Sequence, residues 1–205
     1  MRSDFDENYS NAILKLNFKV SVGLAENAQL QFKLTDKQGK EVELTVKSYQ
    51  LKSKTVGVIN IPIKAPLKWN AEQPNLYTLT ATLVANENIV ETRRQKVGFR
   101  EITILGNLLM VNGKNVKLRG TCRHDVSSTL GRCTTPELDE ADVKLIKEAN
   151  LNFVRTSHYP PSQAFLDFCD QYGLYVEEET AVCFTKMSRK KIRLIPNVTF
   201  RNLLK

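Results

Sequence analysis

The sequence has little that would tie it to a membrane, a zinc site or a secretory route. No apolar run of about 18 residues occurs, so no membrane-spanning helix is expected. The stretch Met1 to Ser10 is polar and acidic, without the basic and then apolar pattern of a signal peptide. Read as written, the chain stays in the cytoplasm, while a longer parent protein could be periplasmic or secreted. The four cysteines, Cys122, Cys133, Cys169 and Cys183, form no C-x-x-C pair and match no zinc spacing. Buried or half-buried free thiols are the expectation, with a Cys122–Cys133 disulfide as the alternative. Histidine is scarce, with two residues, and there is one tryptophan. No internal repeat and no low-complexity linker is present.

What remains is an ordinary globular composition, 41% hydrophobic and 25% charged, over 205 residues. That length accommodates one large domain or two small ones. A net charge of +8 would normally suggest a nucleic-acid partner. Its location argues otherwise. From Thr185 onward there are seven basic residues and no acidic one, and without them 23 basic residues face 22 acidic ones. The basicity belongs to a tail, so neither nucleic acid nor a membrane is expected as a partner.

Residues 12–100 read as strands. Leu14, Leu16, Phe18, Val20 and Val22 alternate, as do Leu30, Phe32 and Leu34. Asp36-Lys37-Gln38-Gly39 predicts a turn, and Val42, Leu44 and Val46 predict the returning strand. Val56 to Ile63 forms another strand. Tyr77, Leu79, Ala81 and Leu83 lead through Asn86-Glu87-Asn88 into Ile89 to Phe99. Many short strands without a helical stretch predict an immunoglobulin-like sandwich.

After Phe99 the periodicity changes. Short strands are predicted at Leu108 to Val111 and Val116 to Leu118, around the turn Asn112-Gly113-Lys114-Asn115. Thr135, Pro136 and Glu137 open a helix whose apolar face is read as Leu138, Ala141, Leu145 and Ala149. Asn152 to Thr156 is a buried strand. Ser162 caps a second helix, with Ala164, Phe165, Phe168 and Cys169 inward, and Gly173 ends it before Leu174-Tyr175-Val176. Residues 115–180 thus read β-α-β-α-β, the opening of a parallel barrel whose complete form takes about 250 residues.

Functional groups of parallel α/β folds gather at the C-terminal strand ends. Here those ends carry Arg119-Gly120-Thr121-Cys122-Arg123-His124-Asp125, Arg155-Thr156-Ser157-His158-Tyr159-Pro160 and Glu177-Glu178-Glu179. Both histidines of the chain lie there. A neutral sugar presents hydroxyls, and His, Arg and carboxylates supply fixed donors and acceptors for them. Glu177 and Glu179 share a side of their strand. Bland alternatives stand beside this. Each histidine could be a structural hydrogen-bonder, Arg155 could merely neutralise Glu177 or Glu179, and the glutamates could be a solvated strand exit. Trp69, beside Pro66 and Pro74, is either a sugar-stacking platform or a core residue between sandwich and barrel, and core packing is favoured.

Five stretches then resemble glycoside hydrolase family 2, the β-galactosidases and β-glucuronidases. Leu108 to Lys114 with Leu118-Arg119-Gly120 and Arg123-His124-Asp125 looks like the family's first barrel strand. Phe153 to Pro160 is similar to its second-strand motif, and Cys169 to Val176 with Glu178-Glu179 to its third. Trp69 to Tyr77 resembles a late segment of its sandwich domain, and Val97-Gly98-Phe99-Arg100 the junction to the barrel. The resemblance implies an immunoglobulin-like β-sandwich at residues 1–100 and the N-terminal part of a TIM barrel at residues 101–184, with residues 185–205 a basic tail foreign to the family.

The resemblance also implies site roles. His124 and His158 would hydrogen-bond sugar hydroxyls, Arg155 would organise carboxylates, and Glu179 would lie in the pocket floor, with Asp125 alongside. Cys122 stands where the family usually has Asn. Cys183 stands near where a magnesium-binding Glu would align, so no metal or other cofactor is expected. The family's acid/base follows an Asn-Glu pair on a later strand, and its nucleophile lies later still. Neither is found beyond the third barrel strand, so no catalytic residue is assigned, and the chain reads as an inactive, truncated piece of a retaining exo-β-glycosidase. The expected substrate of the parent is a β-linked galactoside, and a homo-oligomeric parent is compatible with the reading. A carbohydrate-binding or interaction module that uses the sandwich is the competing function.

Overall fold

The computed structural model describes residues 1–20, 27–52 and 56–181, and the chain divides into two units. The first comprises Met1–Asn70, Asn75–Thr103 and Met110–Lys114. Its main strands in chain order are β1 (Arg2–Phe5), β2 (Ala12–Lys19), β3 (Gln29–Thr35), β4 (Glu41–Val42), β5 (Ser48–Gln50), β6 (Val56–Ile63), β7 (Leu76–Ala85) and β8 (Asn88–Gly98). They make two sheets, β1-β2-β6 and β4-β3-β7-β8, with β5 also on β3. Leu14, Leu16, Ile59, Ile61 and Ile63 of the first sheet meet Phe32, Leu34, Tyr77, Leu79 and Val97 of the second in one buried cluster. The alternation of the strands creates that cluster, because every second side chain points inward. This is the expected immunoglobulin-like sandwich.

Local chemistry sets its turns. Asp36 Oδ1 accepts from the backbone N–H groups of Gln38 and Lys40, closing the predicted turn. Asn86 and Glu87 both take positive φ, giving the two-residue hairpin between β7 and β8. Trp69 is fully buried, with the Arg100 guanidinium 4.3 Å from its ring centroid. A sugar-stacking role for Trp69 is thereby excluded.

Two expectations for this unit need correction. The strand returning at Val42 to Val46 survives only as β4, Glu41–Val42. Pairing to β3 slips by three residues before β5 resumes it, although Leu44 stays buried. The N-terminal stretch, left outside the strands read over residues 12–100, forms β1. There Ser3 is buried and its hydroxyl donates to the Arg100 carbonyl at 3.0 Å, which makes a polar side chain tolerable inside.

Three short strands follow: β9 (Ile102–Leu105), β10 (Leu108–Val111) and β11 (Lys114–Asn115), in the order β11-β10-β9. The second unit comprises Ala71–Pro74, Ile104–Leu109 and Asn115–Lys205. It contains β12 (Gly120–Arg123), α1 (Pro136–Glu148), β13 (Phe153–Thr156), α2 (Gln163–Tyr172) and β14 (Tyr175–Glu178). The strands are parallel in the order β12-β13-β14, as the β-α-β-α-β reading requires. The first parallel strand starts later than Val116–Leu118. Val116 still donates to the Leu109 carbonyl, and backbone pairing with the β13 segment begins at Arg119, whose carbonyl accepts from Asn152 at 2.9 Å.

Both helices start and stop as their caps dictate. Thr135 Oγ1 accepts from the Leu138 N–H, and Ser162 Oγ from the Phe165 N–H. Gly173 ends α2 at φ 83°, and a Cβ there would lie 2.3 Å from the Ala71 carbonyl oxygen. The inward face of α1 differs from the sequence reading. Asp139, Val143 and Ile146 are buried, while Leu138 is 39% and Leu145 62% exposed, and Ala141 and Ala149 are exposed too. Asp139 makes the difference, because Arg123 neutralises it and so lets a carboxylate face inward. Val143 and Ile146 pack with Val154, Phe165, Cys169, Leu174 and Val176.

Among the described residues Cys122, Cys133 and Cys169 are free thiols, so Cys122 and Cys133 form no disulfide. Cys169 is buried, whereas Cys122 and Cys133 are exposed, against the expectation of burial. Cys183, Val22 and the basic tail from residue 185 lie outside the described residues. No described helix is long and apolar enough to cross a membrane.

Candidate functional site

The register of the parallel sheet brings the predicted residues together. Arg123, Thr156 and Glu178 form its last row, and His124, His158 and Glu179 come within two residues after it. One row back stand Cys122, Arg155 and Glu177. The His124 and His158 rings meet edge to face with centroids 5.3 Å apart, and Tyr159 stands 6.3 Å from His124.

Glu179 is the electrostatic centre. His158 Nδ1 lies 3.0 Å from Glu179 Oε2, and the Arg155 guanidinium donates to Glu179 Oε1. The Glu179 N–H donates to Thr156 Oγ1 at 3.3 Å, and that hydroxyl donates to the Glu177 carbonyl at 3.4 Å. Burial pushes the Glu179 carboxyl up, but His158 and Arg155 outweigh it and hold it below its ordinary 4.5. Arg155 also lies 3.9 Å from Glu177 and 3.7 Å from the Cys122 sulfur. Contact with Cys122 and with Glu179 holds its guanidinium above the ordinary range. The bland reading of Arg155 as a neutraliser is therefore true of its contacts, close to Glu179 and looser to Glu177.

Asp125 is placed differently from the other candidates. Its carboxylate accepts from Arg123, while its N–H donates to the Tyr159 hydroxyl at 3.1 Å. Arg123 stands in the first strand-end cluster of the sequence, which assigns it no role. It is buried, donates from Nη2 to Asp139 at 2.6 Å and from Nε to Asp142 at 2.8 Å, and covers the Phe165 ring at 4.1 Å. Ser162 Oγ also donates to Asp139, at 2.5 Å. The signal for this network was an aspartate at the buried helical position one turn before Val143.

Such an arrangement offers a neutral polyol several fixed donors and acceptors on one exposed rim. It provides no unpaired carboxyl group at Glu177 or Glu179, since both are committed to Arg155.

Comparison with known proteins bears on the family and the fold. The family model described as glycosyl hydrolases family 2 matches residues 1–100, and that for the TIM barrel domain of the same family matches residues 102–200. The second match runs into the basic segment that the sequence reading set apart. The chain is similar to a β-galactosidase of Priestia megaterium, with 37% identity over 187 residues, 88% of this chain and 18% of that protein. A β-galactosidase of Streptococcus thermophilus is 35% identical over 87% of this chain and 17% of that protein. The chain thus spans less than a fifth of the length of these relatives. Among solved structures, a β-glucuronidase of Parabacteroides merdae superposes with a TM-score of 0.78 at 26% identity, over 87% of this chain and 22% of that one. A β-glycosidase of Bacteroides vulgatus gives 0.76 at 28% identity, over 87% and 23%. With a sandwich, a parallel β-α-β-α-β unit and family matches across nearly all of its length, the chain belongs to glycosyl hydrolase family 2.

Proposed function

We propose that this chain is the sandwich-to-barrel segment of a retaining exo-β-galactosidase, and that His124, His158 and Glu179 grip the hydroxyls of a terminal β-linked galactose. Arg155 holds Glu179 and Glu177 in place, and Asp125 serves the same site through its neighbour His124. The observation that carries this reading is the convergence of both histidines and Glu179 on one rim of the parallel sheet, with the rings 5.3 Å apart. Galactose is preferred to glucuronate because the curated relatives named above, at 37% and 35% identity, are called β-galactosidases.

By itself the chain does not turn over substrate. Retaining hydrolysis needs a proton donor and a nucleophile, two carboxyl groups about 5–5.5 Å apart. Glu177 and Glu179 are both paired to Arg155 and act as fixed acceptors instead.

A chimaera tests the reading. Residues 1–181 would replace the matching stretch of the Priestia megaterium β-galactosidase. It should hydrolyse a nitrophenyl β-galactoside in preference to the β-glucuronide. His124→Ala and His158→Ala should each lower kcat/KM roughly 10- to 100-fold, the loss of one hydrogen bond to a sugar hydroxyl. A preference for the glucuronide would refute the galactoside assignment. Unchanged kcat/KM in both histidine variants would refute the site, as would nitrophenol release by the purified chain alone for its inactivity.

A further inference from the structure

We infer that Arg123, Asp125 and Tyr159 form a clamp that positions the His124 ring against His158. The purpose of the clamp rests on the sugar-site reading above, but its existence does not.

The two histidines are held by different means. His158 is fixed by its own ring nitrogen, 3.0 Å from Glu179 Oε2. Among the described residues the His124 ring has no hydrogen-bond partner, and the rings of His158 and Tyr159 stand near it. An exposed imidazole without a polar anchor samples several rotamers unless its backbone and neighbours restrict it. His124 is restricted through the residues on either side of it in the chain.

On one side, Arg123 is buried and saturated. Each of its three guanidinium nitrogens meets a different carboxylate, Nη1 with Asp125, Nη2 with Asp139 and Nε with Asp142. One face of the guanidinium also lies over Phe165. A planar fork held at three points and on one face leaves its backbone little freedom. Through Asp139 it is tied to Ser162, the N-cap of α2, so the two helices anchor the end of β12.

On the other side, Asp125 returns its carboxylate to Arg123 and donates its N–H to the Tyr159 hydroxyl at 3.1 Å. His124 therefore sits at the middle of a three-residue loop pinned at both ends. Tyr159 does two things at once. Its hydroxyl takes the Asp125 N–H, and its ring stands 6.3 Å from His124, tilted by 55°. Arg123, Asp125 and Tyr159 are positioning residues, because they act on His124 and not on a ligand.

The chain has two histidines, so histidine-selective isotope labelling gives a spectrum of two rings. In the sugar-free full chain a nuclear Overhauser effect between the His124 and His158 rings is expected. Asp125→Ala and Tyr159→Phe each cut one tie. Each should weaken that effect at least about twofold, since one lost hydrogen bond shifts a local equilibrium by more than that. Each should also move the His124 resonances, with those of His158 held by Glu179. Asp125→Glu, which restores a carboxylate for Arg123, should recover part of the loss. If Asp125→Ala collapses the amide spectrum, Tyr159→Phe decides, because it removes a single oxygen. Undiminished inter-ring effects in the folded variants would overturn the clamp. Because no sugar is present, a failure of the galactoside assignment would leave this measurement untouched.

Discussion

His158 and Arg155 both hold the Glu179 carboxylate, and those contacts set how Glu179 responds to acid. Glu179 is held below its ordinary value in the folded chain, so its contribution to stability is present above that value and fades as pH falls through the lowered one. Glu179→Gln should therefore flatten the acid limb of stability, measured as Tm from about pH 6 down to about pH 3. The thiols give a second test. Burial pushes the Cys169 thiol well up, whereas Cys122 and Cys133 are exposed. A maleimide followed by peptide mapping should label Cys122 and Cys133 in the native chain and Cys169 only after unfolding. At this scale the sequence was informative where residue type and strand end coincided, as for His124, His158 and Glu179. It placed Arg123 at a strand end but not its burial or role, because a buried arginine is recognisable only once its three carboxylate partners, from a loop and a helix, are in space around it.

Elements were legible to the extent that their signals are local. Thr135, Pro136, Ser162 and Gly173 mark the ends of α1 and α2 because capping satisfies neighbouring backbone groups. The orientation of α1 was not legible, since hydropathy ranks Leu138 and Leu145 above Asp139 and cannot see Arg123. This difference predicts mutant energetics. Leu145→Lys should change stability by no more than about 0.5 kcal/mol, whereas Ile146→Ala should cost about 2–5 kcal/mol, both by denaturant titration. Gly173→Ala should cost about 1–3 kcal/mol for its left-handed φ of 83°, and more because the added Cβ meets the Ala71 carbonyl. The strand at Val42 to Val46 shows the converse problem. Burial of Leu44 persists where pairing fails, so alternation reports a buried face and not a hydrogen-bonded partner.

For the molecule as a whole, the two units differ in what holds each together. Among the described residues the sandwich cluster gathers thirteen buried side chains, against seven in the cluster around α1 and α2. Within the second unit three four-residue strands form a sheet whose outer strands, β12 and β14, have no further neighbour among the described residues. Open parallel edges and exposed apolar side chains such as Leu145 and Val126 favour self-association. Denaturant titration should accordingly show two steps, with loss of the α1 and α2 helical signal preceding loss of the sandwich. Limited proteolysis should leave a resistant piece near residues 1–103, and uniform resistance of residues 104–181 would contradict that order.

The strip Ala71–Pro74 gives the second unit a debt to a distant part of the chain. The Lys147 ammonium donates to the Ala71 carbonyl at 3.0 Å and to the Gly173 carbonyl at 3.1 Å, and the Ala71 N–H donates to the Tyr175 hydroxyl at 3.4 Å. A polypeptide started at residue 101, the natural place to cut by pattern, would leave Lys147 with a single acceptor and expose the back of Gly173. Expression of the barrel half therefore calls for a graft that carries those four residues with it, and a scissors-and-paste view of this chain as beads on a string misjudges where one bead ends.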